Sequence, residues 1–237
     1  MKRTISFFIC LSLLFAWLTG CAPAPKTADL LSKLHWFGTS AILYNGSKVI
    51  YFDPVSLDGK LPQADLILVT HAHSDHWSVA DLKKIIGPHT TLIIGPNVAS
   101  NYEAAKADLG IPATVLNEGD SVKVDGVTVK AVPAYDTTYH PKGSGGVGFL
   151  VSLDGITLYH TGGTEAHPEM ANYKCDIAFV PVYSKDGAQA MAKIIPARVI
   201  ILEHTSYYAA QAVADLFTKD IGGGKQFLAL EAGPYNP

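Results

Sequence analysis

Short apolar runs and longer stretches of helical spacing alternate along this chain. The first runs are separated by Gly38 and by Asn45-Gly46, and an Asn-Gly pair favours a tight hairpin turn. They predict a strand meander at 34–37, 41–44 and 49–52. Further on, the pattern predicts strands at 66–69 and 91–94, and helices at 79–86 and 98–109, each ending at a glycine.

The second half of the chain repeats this style. Asp125-Gly126 and Asp154-Gly155 mark two more hairpins. The predicted strands are 122–124, 127–132, 147–153, 156–159, 177–180, 199–202 and 227–230, and the predicted helices are 188–195 and 209–217. A meander followed by strands alternating with helices, twice over, predicts an α+β fold in which two sheets pack face to face with helices outside. Polar residues at the strand ends would then gather along one edge of the sandwich.

Composition limits the classes of protein to consider. Hydrophobic residues make up 48% of the 237 residues and charged residues 16%, which predicts a large core in a single domain, residues 33–237. The net charge is −3 and the body of the chain has no basic run, so nucleic acid is not an expected partner. Cys175 is the one cysteine in residues 33–237, which excludes a disulfide within this domain.

The N-terminus has the pattern of an export signal. Lys2 and Arg3 precede an almost wholly apolar run at 5–18, and Leu18-Thr19-Gly20-Cys21 follows. That order resembles a bacterial lipobox. We therefore expect a signal peptide at 1–20, a lipidated Cys21 with a tether at 21–32, and a membrane-anchored lipoprotein at the bacterial cell envelope, periplasmic or on the outer surface. An ordinary secreted protein and a retained N-terminal anchor are the alternatives.

Three histidines and an aspartate are clustered in His71-Ala72-His73-Ser74-Asp75-His76, shortly after the predicted strand 66–69. Imidazole and carboxylate groups suit Zn²⁺, and Mn²⁺ or Fe²⁺ as well. Residues two apart in an extended segment point the same way, so His71 and His73 can bind one ion, while Asp75 and His76 reach a second. The alternative is a solvated polar loop that happens to be rich in histidine. We interpret the cluster as a site for one or two metal ions.

The order of motifs resembles the metallo-β-lactamase superfamily of metal-dependent hydrolases, over roughly residues 34–206, and most closely its L-ascorbate-6-phosphate lactonase-like branch. The histidine cluster matches the His-x-His-x-Asp-His signature of that superfamily. The similarity extends to Phe52-Asp53-Pro54, to residues 134–143, to Tyr159-His160-Thr161-Gly162-Gly163-Thr164 and to Leu202-Glu203-His204. The fold that this resemblance implies is a four-layer αββα sandwich.

The resemblance also implies the ligands. His71, His73 and His140 would hold the first ion, and Asp75, His76 and His204 the second, with Zn²⁺ as the expected metal. Asp53 would orient the histidine loop by hydrogen bonds. For His140, a surface histidine that caps the turn before Pro141 is the alternative.

The chain departs from the family pattern at Gly163, where the family has an aspartate that bridges the two ions. The second ion should bind less tightly without it. Glu165 or Asp136 would have to reach the gap to replace it, and spacing alone does not show that either does. His160 and His167 flank the gap, and we interpret them as ordinary loop histidines. Thr39 stands where relatives often have histidine.

These observations predict a metal-dependent hydrolase that activates water to cleave a small ester, lactone or phosphodiester outside the cytoplasm. Asp75 would act catalytically by orienting that water, and Lys142, Tyr139 and Trp77 are candidate substrate contacts. Gly163 motivates an alternative, a degenerate, non-catalytic lipoprotein that binds a metal or another ligand. A purely structural surface protein would require the histidine loop to be accidental.

Overall fold

The computed structural model describes residues 27–237. The predicted signal peptide and the predicted lipid attachment at Cys21 lie outside these residues. Between Thr27 and Pro237, no helix combines the length and the apolar character needed to cross a membrane.

The first sheet begins with the predicted meander. Strands β1 (Leu34–Gly38), β2 (Ala41–Asn45) and β3 (Val49–Phe52) are antiparallel neighbours. Three parallel strands follow in chain order, β4 (Leu66–Val69), β5 (Thr91–Ile94) and β6 (Ala113–Val115). The connections between the parallel strands contain α2 (Val79–Ile85) and α3 (Ala99–Leu109). Such crossovers place the helices on one face of the sheet.

The second sheet has seven strands. Four of them pair antiparallel in chain order: β7 (Ser121–Val124), β8 (Val127–Pro133), β9 (Val147–Leu153) and β10 (Ile156–His160). Parallel to β10 then come β11 (Cys175–Pro181), β12 (Ala197–Glu203) and β13 (Gln226–Ala229). Helices α4 (Lys185–Ile194) and α5 (Tyr207–Asp220) connect these last strands.

The core lies in three layers, as an αββα sandwich requires. Between the sheets, Phe52 of the first packs in one buried cluster with Phe149 and Phe179 of the second. The outer face of each sheet is covered by its helices, for example through Leu82 of α2 and Phe217 of α5. The central strands are buried on both faces, which explains their continuous apolar runs. The predicted four-layer αββα fold is confirmed.

The short helix α1 (Thr27–Leu31) falls within the segment predicted as a tether, residues 21–32. Its Leu30 is only 2% exposed and belongs to the cluster between the sheets. The part of this segment that the structure describes is therefore packed against the domain.

Parallel pairing places several loops at one edge of the sandwich. Phe52 of β3 pairs with Leu68 of β4, so the residues that follow these two strands are neighbours. In the second sheet, β10, β11 and β12 also run parallel, and the loops after them lie side by side. The carbonyl of Thr70 accepts a hydrogen bond from the amide of Val147 (3.1 Å), which ties the two sheets together at this edge.

Candidate metal centre

The histidine cluster forms a tight turn between β4 and α2. The amides of His76 and Trp77 both donate to the carbonyl of His73, at 3.0 and 2.9 Å. Ser78 then caps α2, because its hydroxyl accepts a hydrogen bond from the amide of Asp81 (3.2 Å). The turn leaves the side chains of the cluster at the edge of the sandwich.

One group of potential ligands consists of His71, His73 and His140. One nitrogen from each ring lies within 4.8 Å of the others. The ring centroids are 4.5 Å apart for His71 and His140, and 4.7 Å apart for His73 and His140. The structure therefore brings His140 to the cluster, 64 residues or more along the chain, and it is 5% exposed rather than at the surface.

A second group consists of Asp75, His76 and His204, again with ligand atoms within 4.8 Å of one another. Nε2 of His204 lies 3.3 Å from Oδ2 of Asp75, and the His204 ring stacks on that of His76 at 5.4 Å. The six residues that the family resemblance assigns to two ions thus form two adjacent groups.

Asp53 links the two ligand groups through hydrogen bonds. Its carboxylate accepts hydrogen bonds from Nδ1 of His76 (2.7 Å), and from the amide and hydroxyl of Thr70 (both 2.7 Å). Since the Thr70 hydroxyl donates to Asp53, it is left to accept from Nδ1 of His71 at 2.9 Å. One buried carboxylate therefore orients one ring in each group, His76 directly and His71 through Thr70.

The ionisation of Asp53 follows from these contacts. Its complete burial by itself would raise the pKa, but the attraction and hydrogen bond of His76 outweigh burial and hold the pKa at about 2. Asp53 is thus a carboxylate at neutral pH. Burial also lowers the pKa of His71 to about 2, so this ring is neutral, which a metal ligand must be.

Asp136 holds His140 in the same way. One oxygen accepts from the amides of Thr138 (2.6 Å) and His140 (3.1 Å), and the other bonds Nδ1 of His140. Burial opposes ionisation, but these hydrogen bonds lower the pKa of Asp136 to about 2. Asp136 therefore orients His140 and does not fill the gap at Gly163.

These contacts determine which ring nitrogens are left to bind a metal. In His71, His76 and His140, Nδ1 is hydrogen-bonded, so Nε2 is left over. All three Nε2 atoms are buried and have no hydrogen-bond partner among the residues that the structure describes. Buried polar atoms are rarely left unpaired, and a histidine that binds metal through one nitrogen usually donates from the other. The residues present fit one or two divalent ions.

His204 is held by the turn between β1 and β2. Its backbone lies in the left-handed region at φ 61°, and its amide donates to the carbonyl of Thr39 (2.9 Å). Ser40, which follows Thr39 in the same turn, donates its hydroxyl to Oε2 of Glu203 (2.6 Å). Glu203 is fully buried, and burial raises its pKa to about 8. No pattern in the sequence predicts this contact between Ser40 and Glu203, which are 163 residues apart.

The residues around Gly163 do not add a carboxylate to the first group. Glu165 is exposed and borders the adjacent cavity, with a long contact of 3.4 Å from the Thr137 hydroxyl. His160 is fully buried and bonds the carbonyl of Ser40 at 3.0 Å. His167 stacks on Tyr135 at 4.7 Å. Neither of these two histidines lies in the metal-ligand groups.

A cavity of about 400 Å³ opens onto both groups. Tyr139, a candidate substrate contact, borders it, and so does Tyr183, which the sequence analysis did not single out. Lys142 and Trp77 are not among the lining residues. Lys142 donates to Oε1 of Glu169 (3.3 Å), and Trp77 packs against the cluster under α2 and α3.

Comparison with known proteins shows which protein family has this fold. Residues 33–204 match the family described as beta-lactamase superfamily domain. A UPF0173 metal-dependent hydrolase from Methanosphaerula palustris is 32% identical over 208 residues, covering 80% of this chain and 91% of the relative. Another, from Pyrococcus abyssi, is 32% identical over 225 residues, covering 85% and 97%.

A solved structure is similar to this chain in both sequence and fold. The crystal structure of a protein from Parabacteroides distasonis, named as a metal-dependent hydrolase, has 27% identity and a TM-score of 0.70, and the match covers 84% of this chain and 93% of that one. The αββα sandwich with a histidine-rich centre at its edge defines the class as metallo-β-lactamase-like. The chain belongs to the metallo-β-lactamase superfamily and, within it, to the UPF0173 metal-dependent hydrolases.

Proposed function

We propose that this protein is a hydrolase that cleaves a small ester or lactone, with a phosphodiester as the remaining substrate class, at the cavity next to His71–His76. The observation that carries the proposal is the set of buried Nε2 atoms of His71, His76 and His140, each without a partner in residues 27–237. Divalent ions bound there would lower the pKa of water towards neutrality and polarise a carbonyl or phosphoryl oxygen.

The chain's own residues would then have separate tasks. Asp53 and Asp136 keep the ligand rings in orientation through their hydrogen bonds. Asp75 contributes Oδ2 to the second group, where it lies 3.3 Å from His204. Its side chain is 46% exposed and borders the cavity, so its carboxylate would orient a water molecule there and accept a proton from it.

The experiment is an assay of metal-loaded protein against matched esters, lactones and phosphodiesters. We expect turnover that Asp75→Asn lowers by about 100-fold, as for loss of a general base. His89→Ala is the control, since His89 is exposed and lies outside the ligand groups. Metal content is measured for each variant, so that loss of metal is separated from loss of the base. Loaded wild-type protein that turns over none of the three classes would end this proposal.

A second function is favoured by one specific observation. Within the described residues, no carboxylate belongs to the group of His71, His73 and His140, and Gly163 offers no side chain there. This supports a protein that binds a single metal or a ligand without catalysis. Metal stoichiometry and turnover together separate the two functions: two tightly bound ions with turnover support the hydrolase, and one ion or none, with no turnover, supports a binding protein.

We also propose that the protein is exported and anchored through a lipid on Cys21. The support is the sequence Leu18-Thr19-Gly20-Cys21 after an apolar run. Labelling with a radioactive fatty acid tests this, with Cys175→Ser as the control and Cys21→Ser as the variant that should lose the label. Equal labelling of both variants would argue against the anchor.

A further inference from the structure

The charged side chains that border the metal-centre cavity are all acidic. Besides the imidazoles, the lining consists of Asp75, Asp136, Thr138, Tyr139, Glu165 and Tyr183, with no lysine or arginine among the described residues. Outside the reacting atoms, a negatively charged group on a substrate would find no cationic side chain there. A phosphate or carboxylate remote from the scissile bond is therefore poorly matched to this cavity.

The lysine that could have served such an anion is otherwise engaged. Nζ of Lys142 lies 3.3 Å from Oε1 of Glu169 and 4.9 Å from the centre of the Tyr135 ring. Tyr135 in turn donates its hydroxyl to Oε2 of Glu169 at 3.2 Å. These contacts direct the Lys142 ammonium to Glu169 and Tyr135, neither of which lines the cavity.

Among the three carboxylates that line the cavity, Glu165 is the one that neither bonds a histidine nor belongs to a ligand group. Asp136 accepts hydrogen bonds from several amides and from His140, and Asp75 belongs to the second ligand group. Glu165 forms no ion pair with any residue between 27 and 237, and its one side-chain hydrogen bond there is a long one of 3.4 Å from the Thr137 hydroxyl. Its exposed carboxylate borders the cavity and pairs with no cationic side chain of the lining.

Two tyrosines that border the cavity also favour a cationic group over an anionic one. Tyr139 is 75% exposed and Tyr183 is 46% exposed, and both border the cavity that Glu165 borders. The face of a phenol ring attracts a cation and repels an anion, because the ring carries negative charge density on its faces. Aromatic rings and a carboxylate that line one cavity are the groups by which proteins bind substituted ammonium ions.

We infer that Glu165 determines substrate specificity by selecting a substrate whose non-reacting part is cationic, of the ammonium class, and by disfavouring one that carries a remote negative charge. The inference rests on the proposed function in that the cavity is the one beside the metal centre.

Three acetate esters of identical length test this inference with full-length, metal-loaded protein. Their alcohols are choline, 3,3-dimethylbutanol and 2-hydroxyethanesulfonate, which end in a cationic, a neutral and an anionic group. We expect kcat/KM to fall in that order, by about three- to tenfold at each step and mainly through KM. Raising the ionic strength to about 1 M should shrink the differences, because an exposed charge is screened.

Variants assign the preference to one carboxylate. Glu165→Gln should bring the choline and 3,3-dimethylbutyl esters to within about twofold of each other, and Glu165→Lys should favour the sulfonate ester. Glu103→Gln is the matched control, since Glu103 lies on α3 and pairs with Lys106. A sulfonate ester cleaved as well as the choline ester, or a Glu165→Gln variant with the wild-type ratio, would overturn the inference.

Binding of the three alcohols separates this inference from the proposed hydrolase. Calorimetry needs no turnover and should give choline the lowest Kd in the wild type, but not in Glu165→Gln. A chain that binds choline in this Glu165-dependent way and cleaves no ester refutes the hydrolase and supports the charge preference. A chain that cleaves esters without regard to charge, and binds the alcohols equally, refutes the charge preference alone.

Discussion

The imidazole of His140 lies directly over Gly163. A Cβ atom on residue 163 would be 2.7 Å from Cε1 and 2.8 Å from Nε2 of that ring. Side chains in a packed interior do not tolerate such distances, so any side chain at 163 has to displace His140. The missing side chain at 163 is what gives His140 its place in the first ligand group.

We expect Gly163→Ala to weaken metal binding by about 10- to 100-fold, because His140 is moved out of position. The cost in the free energy of unfolding should be about 1–3 kcal/mol, as for other overpacked sites. Titration with a competing chelator measures the affinity, and thermal unfolding of the metal-free protein measures the stability.

Gly233→Ala is the control for that experiment, because nothing lies within 4 Å of a Cβ atom at residue 233. The larger Gly163→Asp substitution should have the same direction as Gly163→Ala. Tighter metal binding by Gly163→Asp would contradict the placement of His140.

Asp136→Asn should affect one ligand group and spare the other. The asparagine side chain has one oxygen that accepts and one NH2 group that donates. Its NH2 group would therefore face a second donor, either the backbone amide of Thr138 or Nδ1 of His140. We expect about 10- to 100-fold weaker binding of one ion, with the ion at Asp75, His76 and His204 retained. Metal stoichiometry and competition titration report this. Asp125→Asn, in the exposed hairpin after β7, serves as the control, and equal losses in both variants would refute the assigned role.

Glu203 should make the stability of the metal-free protein depend on pH. Burial raises its pKa to about 8 from an ordinary value of 4.5. Between these values the folded protein holds a proton that the unfolded chain releases, so the free energy of unfolding falls as the pH rises, by at most about 1.4 kcal/mol per unit. Below pH 4.5 the contribution of Glu203 no longer depends on pH.

Glu203→Gln removes this dependence, since glutamine stays neutral. We expect it to match the wild type at the acidic end and to be more stable above pH 8, in denaturant unfolding with a chelator present. Glu118→Gln, an exposed carboxylate, is the control and should follow the wild type. A Glu203→Gln variant that loses stability with pH as steeply as the wild type would refute the buried-proton account.

Lys142→Met should leave catalysis and stability nearly unchanged. The Lys142 side chain is 62% exposed, and an exposed ion pair such as that with Glu169 contributes about 0–1 kcal/mol. We expect equal KM values for wild type and variant with substrates of any charge, measured on the three esters described above. A rise in KM confined to the anionic ester would contradict this prediction and show that Lys142 contacts the substrate.

Most of the fold could be read from the chain, because the strands are short, apolar and separated by strong turn signals. The hairpins at Asp125-Gly126 and Asp154-Gly155 connect the strands that were predicted on either side. Strand β6 was missed. It is three residues long, it lies at the sheet edge, and its Val115 is 40% exposed, so burial does not leave a pattern there.

By itself, the sequence determined the order of strands and helices and the His-rich turn at 71–76, since apolar periodicity and a local motif are both encoded by neighbours in the chain. The αββα sandwich and the assignment of His140 and His204 as ligands came from the resemblance to the metallo-β-lactamase superfamily. Only the tertiary structure decided which polar groups hold those ligands. Asp136 bonds His140 instead of filling the gap at Gly163, and Ser40 meets Glu203 across 163 residues. Such contacts depend on side-chain direction and on which loops the two sheets bring to a common edge, and neither is set by spacing along the chain.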